Sequence, residues 1–159
     1  MSIALPASPW LKLQAYLLQR LDALQRGNTP AHLATGLRGE REALFHLRQR
    51  GYTVVARRWK DAKLRGDIDL VAWDGDALCF VEVKTRTGRD RMSPAEAAVD
   101  DAKRRMLRPL ARAYVRRFPE KLRRSVRIRF DVMAVYLAGS QQPGQGVEFE
   151  LYKGAFGWE

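Results

Sequence analysis

Charged residues stand at inward positions of two apolar runs between Gly66 and Arg86, GDIDLVAWDGDALCFVEVKTR. Side chains along a strand alternate between faces. Asp67, Asp69, Val71 and Trp73 therefore share one face of the first run, and Phe80, Glu82 and Lys84 share one face of the second. The turn decides whether those faces coincide. A two-residue loop at Asp74-Gly75 sets Asp69 diagonal to Glu82, whereas one at Gly75-Asp76 sets it directly opposite. Either loop keeps both carboxylates on one face, and a three-residue loop would separate them.

Two carboxylates a few ångströms apart beside an apolar core repel each other and lose hydration, unless a cation or a proton lies between them. Hard divalent ions suit such a pair. Mg2+ (or Mn2+) takes one or two carboxylates together with waters and substrate phosphate, which makes Asp69 with Glu82 a partial cage for a phosphodiester reaction. Lys84 lies two residues beyond Glu82 on the same face, where its ammonium could hold an attacking water or stabilise charge on phosphate oxygens. The competing reading is a plain Glu82–Lys84 ion pair at the open end of the hairpin, with Asp67 and Asp69 solvated.

Further segments surround this hairpin in order: Gly39-Glu40-Arg41-Glu42-Ala43, Gly51-Tyr52, GDIDLVA, FVEVKTR, a helix containing Lys103, and Arg129-Phe130-Asp131-Val132. An acid, a hairpin and then Glu-x-Lys resembles the core of the PD-(D/E)XK nuclease superfamily. The surrounding segments resemble its YraN-like branch, related to Holliday junction resolvases, over roughly residues 33 to 137. The resemblance implies that Glu40 is the acid on the first helix, Asp69 the metal-binding aspartate, Glu82 the second metal ligand and Lys84 the catalytic lysine. The main-chain carbonyl of Val83 would complete the cage. Two departures stand out: the branch usually carries Glu where this chain has Asp67, and an Asn near Arg57-Arg58-Trp59-Lys60. An Arg there suggests a backbone phosphate contact in place of an amide hydrogen bond.

The balance of charge agrees with a polyanionic partner, with 29 Lys and Arg against 18 Asp and Glu in 159 residues, a net charge of +11. The competing reading is a basic face that serves solubility. Arg104, Arg108, Arg112 and Arg116 recur every four residues with Lys103 and Arg105 beside them, and no acid interrupts the run from Lys103 to Arg117. Arg57, Arg58, Lys103, Arg104, Arg108 and Arg112 are the expected phosphate contacts. The single Cys79 excludes an intramolecular disulfide framework and sits in an apolar run as a small buried hydrophobe. No apolar run of about 18 residues or signal-peptide pattern is present, which predicts a cytoplasmic protein without a membrane partner. His32 and His46 lack the spacing of a zinc site. Trp59, Trp73 and Trp158 are read as packing residues before base-stacking platforms.

Elements to position these residues follow from patterning. Residues 1–30 form an amphipathic helix with linker, Ser8-Pro9 opening it and Gly27-Asn28-Thr29-Pro30 ending it. Its leucine stripe can pack on its own domain or on a second copy, giving a homodimer. Residues 31–159 form the main domain. A helix is expected from Gly36 to Arg50, where Glu40 either caps the start or reaches toward the hairpin. Strands are expected at Val54–Ala56, in both arms of the hairpin, at Arg127–Tyr136 and at Val147–Tyr152. Ser93-Pro94-Ala95-Glu96 reads as a capping box opening a helix to about Phe118, kinked or divided at Pro109. The fold class is α/β, a restriction-endonuclease-like core with a central mixed β-sheet of four to five strands flanked by α-helices. The expected function is a metal-dependent endonuclease hydrolysing DNA phosphodiester bonds, with branched or junction DNA favoured by resemblance. The alternatives are a nucleic-acid-binding protein that does not cleave, and a protein-interaction module acting through the N-terminal helix.

Overall fold

A computed structural model describes residues 31–87, 99–137 and 146–159. The N-terminal helix, the capping box at Ser93 and the loop from Gly139 to Gln145 lie outside the described residues. Compact units comprise Met1–Thr35 and Gly36–Glu159, and the second contains the sheet and every candidate site residue. In chain order the elements are α1 (Ala31–Gln49), β1 (Thr53–Trp59), β2 (Ile68–Asp74), β3 (Ala77–Thr87), α2 (Asp101–Val115), α3 (Glu120–Ser125), β4 (Arg127–Leu137) and β5 (Glu148–Phe156). This is a mixed α/β fold whose five strands lie in the order β1-β2-β3-β4-β5. All neighbours are antiparallel except β3 and β4, which run parallel.

Central β3 explains the sequence pattern. Residues Ala77 to Glu82 are buried without alternation, as expected for a strand covered on both faces. On one face Val71, Leu78, Phe80 and Phe130 pack with Leu107, Leu110, Ala111 and Val115 of α2. The opposite face buries Leu70, Ala72, Cys79, Val81, Met133 and Val135. There α1 rides close on β3, because a Cβ added at Gly39 would stand only 1.7 Å from Thr85 Oγ1.

The elements differ from the expectations in several places, among them an α1 that starts at Ala31, ahead of Gly36. Asp100 caps α2, accepting a 2.8 Å hydrogen bond from Lys103 N, so the helix starts at Asp101 and does not run on from Ser93. Pro109 does not divide α2, which continues to Val115 with one missing amide donor. The short α3 has no apolar stripe that would announce it, and none of its residues is buried.

Candidate active site

The hairpin loop is Gly75-Asp76, because Asp74 pairs with Ala77 and Trp73 with Leu78. Gly75 has φ 61°, and among described non-glycine residues only Arg58 has a positive φ, so the turn carries the type II′ pattern with glycine first. The alternative Asp74-Gly75 loop is thereby corrected: it would force Gly75 into the second position and shift the pairing by two residues. Leu70 pairs with Val81, and the next step along the ladder sets Asp69 directly across from Glu82.

Both carboxylates are withdrawn from water. Asp69 Oδ2 accepts a 2.7 Å hydrogen bond from Val83 N, which fixes the carboxylate over β3. Burial and then the charge of Glu82 push the Asp69 pKa up to about 8. Glu82 is 3 % exposed. Lys84 Nζ lies 3.1 Å from its Oε1, and Lys103 Nζ lies 3.0 Å from its Oε2. Lys103 stands off the hydrogen-bonding direction, so Oε2 has an ion contact but no aligned hydrogen bond among the described residues. Burial opposes the charge on Lys103, but Glu82, Asp69 and Asp67 outweigh it and raise its pKa.

Lys103 was expected on a phosphate-tracking face and instead reaches the carboxylate pair. The sequence signal was its position in the first turn after a capping Asp100, with its side chain beside the apolar stripe of α2. Glu40 lies mid-helix because α1 begins at Ala31, which removes the capping alternative. Its Oε2 is 3.9 Å from Arg58 Nε, which is also 3.8 Å from Asp67 Oδ2. Burial raises the Glu40 pKa first, with Arg58 opposing and Asp67 adding, while Glu82 contributes less. Glu40 thus belongs to a neighbouring Glu40–Arg58–Asp67 triad that senses the main pair through its field.

Arg58 has φ 45°, a left-handed conformation uncommon for a long side chain and far easier for Asn. The expected phosphate role of Arg58 is correspondingly reduced, because its guanidinium faces two carboxylates; Arg57 is exposed.

The arginine stripe on α2 is also partly engaged. Arg104 Nε donates to Val99 O at 2.9 Å, Arg108 Nε donates to Gly157 O at 2.9 Å, and the Arg112 guanidinium lies 4.9 Å from the Trp158 ring centroid. The Arg108 and Arg112 contacts hold the segment after β5 against the helix, while Arg104 ties down the residue before the cap of α2. Beside them lies an open groove of about 440 Å³ lined by Arg104, Arg105, Arg108 and Phe156-Gly157, with Asp101 and Glu159 also on its wall. Trp59 packs edge-on against Tyr114, Trp73 stacks with Phe118, and Trp158 meets Phe130 at 4.9 Å, so each has a packing role.

A second charged network went unread in the sequence. Asp131 is fully buried, gripped by Arg129 through Nε at 2.8 Å and a terminal nitrogen at 2.9 Å, and by Gly154 N at 2.9 Å. Arg129 and Lys153 also reach Asp74 Oδ2, at 2.7 and 2.9 Å. Those two cations hold the Asp74 pKa down at about 2. An Asp inside the apolar run Phe130 to Leu137 was the available signal. Burial pushes the Cys79 thiol up to about 12, in keeping with a packing role.

Among the described residues, no three His, Cys, Asp or Glu side chains gather closely enough to hold a metal by themselves. No described helix is long and apolar enough to cross a membrane.

A family model described as uncharacterised protein family UPF0102 matches residues 39–135, which spans α1 from Gly39, the hairpin, α2 and most of β4. The chain belongs to this family. A UPF0102 protein of Koribacter versatilis is 49% identical over 118 residues, covering 74% of this chain and 79% of its own. One of Solibacter usitatus is 42% identical over 140 residues, covering 88% and 97%. One of Dictyoglomus thermophilum is 35% identical over 121 residues, covering 76% and 95%. The matched UPF0102 segment contains Glu40, Asp69, Glu82, Lys84 and Lys103, and ends before β5.

Proposed function

We propose that this UPF0102 protein is a metal-dependent nuclease of the PD-(D/E)XK type, hydrolysing phosphodiester bonds of DNA. One observation carries the reading: the half-buried Asp69 and the buried Glu82 face each other from adjacent strands, and burial, then the charge of Glu82, raises the Asp69 pKa. A structural pair would gain from being replaced by apolar residues, so this costly arrangement points to a cation-binding task.

The residues fit a hard divalent ion such as Mg2+ (or Mn2+). Asp69 and Glu82 would hold it with the Val83 carbonyl, and waters or substrate phosphate would fill the rest, in keeping with a pair too small to cage a metal alone. When bound, the ion would act as a Lewis acid toward the phosphate and its attacking water. The Val83 amide keeps Asp69 oriented. Lys84, 3.1 Å from Glu82, would orient the hydrolytic water or stabilise charge on the phosphate oxygens. Glu40 and Asp67, which share the single cation Arg58, flank the pair and would support its water shell. Arg57, Arg105, Arg112 and Arg116 present exposed cations for backbone phosphates, and the groove beside α2 adds Arg104 and Arg108.

Labelled duplex, single-stranded and branched DNA with Mg2+ or Mn2+ should be cut by the wild type. Glu82→Ala and Lys84→Ala should each lose cleavage by about 10³-fold while still binding DNA. Equal absence of cleavage in wild type and Glu82→Ala, with binding intact in both, would leave the non-catalytic nucleic-acid-binding reading. Preference for a branched substrate within that panel would supply the junction specificity.

A further inference from the structure

We propose that Lys103 is the resident counter-ion of Glu82, standing in the space that a divalent cation takes and displaced when that cation enters. The inference rests on the metal-centre reading of the same site.

The two lysines on Glu82 are not equivalent. Lys84 belongs to β3 itself, two residues along, and meets Oε1. Lys103 comes from the first turn of α2, and its field reaches Asp69 and Asp67 as well as Glu82. Its ammonium thus serves the whole acidic group. Its backbone is locked, since Lys103 N donates to the capping Asp100. Its side chain reaches Glu82 with poor alignment. The 3.0 Å contact with Oε2 is off the hydrogen-bonding direction and leaves that buried oxygen without an aligned donor. An ammonium that holds a carboxylate chiefly by charge, in a poorly aligned contact, can yield to an ion of twice the charge that both carboxylates share. Glu82, with a side chain 4 % exposed, cannot exchange its partner for water at low cost, so a counter-ion must be present before the metal arrives.

Lys103 must then compete with metal, lowering its affinity in the absence of nucleic acid. Titrating Mn2+ into the full chain, with unbound Mn2+ read by its electron paramagnetic resonance signal, tests this without any cleavage. Lys103→Met and Lys103→Gln should bind Mn2+ about tenfold more tightly than wild type. Lys103→Arg should bind like wild type, and Glu82→Gln should abolish binding in each background. Thermal melts identify any variant that fails to fold, and either neutral substitution suffices. Wild-type binding with unchanged or weakened affinity in a folded neutral variant would overturn the Lys103 role and leave the metal centre standing. No Mn2+ binding by folded wild type or by the neutral variants would overturn both.

Discussion

Asp69 and Arg58 carry the stress of this site in different forms, one as a displaced proton and the other as a backbone angle. An Asp in the unfolded chain ionises near 3.8, whereas Asp69 in the fold keeps its proton to about 8. Between those values the folded state binds a proton that the unfolded state has released, so metal-free stability falls as pH rises from about 4 to about 8. Denaturant midpoints measured across that range should decline in wild type and much less in Asp69→Asn. Saturating Mg2+ should restore wild-type stability at the alkaline end. A slope unchanged by Asp69→Asn would contradict the assignment. At Arg58, Arg58→Asn and Arg58→Gln both delete the guanidinium, but only Asn is at ease with a φ of 45°. Arg58→Asn should therefore be the more stable of the two by about 1 kcal/mol, read by chemical denaturation.

At the scale of elements, α1 and the hairpin depend on close counting. Gly39→Ala drives a methyl into Thr85 and must push α1 away from β3, which should cost about 1–3 kcal/mol and reduce cleavage by displacing the adjoining Glu40. A wild-type melting temperature for Gly39→Ala would show that the helix–strand contact yields freely. The hairpin was legible in the sequence because alternation and an Asp-Gly-Asp turn are local signals; they left two registers open, and the ladder chooses the one with Asp69 across from Glu82. The basic stripe on α2 was legible as a period of four, but its partners were not. Arg108 and Arg112 meet Gly157 and Trp158, about fifty residues further along, and no local pattern reports such a contact. The contact of Lys103 with Glu82 was not legible for a related reason: a helix face is defined by what lies opposite it, and Glu82 belongs to another element. The segment holding Asp131 was noticed but its burial was not, because the network that satisfies it joins Arg129 to Asp74 of β2 and adds the Gly154 amide of β5, contacts that exist only once the strands are paired.

Across the whole molecule, the excess of 11 positive charges persists although several arginines hold the fold together. If about four phosphates are neutralised, DNA affinity should fall about a hundredfold between about 50 and about 200 mM salt, measured by anisotropy of a labelled duplex. A flat response would remove the backbone-binding role from these cations. Charge also bears on the sheet's exposed side, where β1 is the outermost strand. Its register breaks between Val54 and Ala56, its backbone turns left-handed at Arg58, and Arg57 and Arg58 are both exposed. An unpaired strand edge is a template for another chain, and a bulge, a twist and like charges each spoil that template. Copies of the chain therefore meet a margin that resists extension at β1, and straightening β1 with uncharged β-formers, with the carboxylates untouched, should raise edge-to-edge association, read by light scattering.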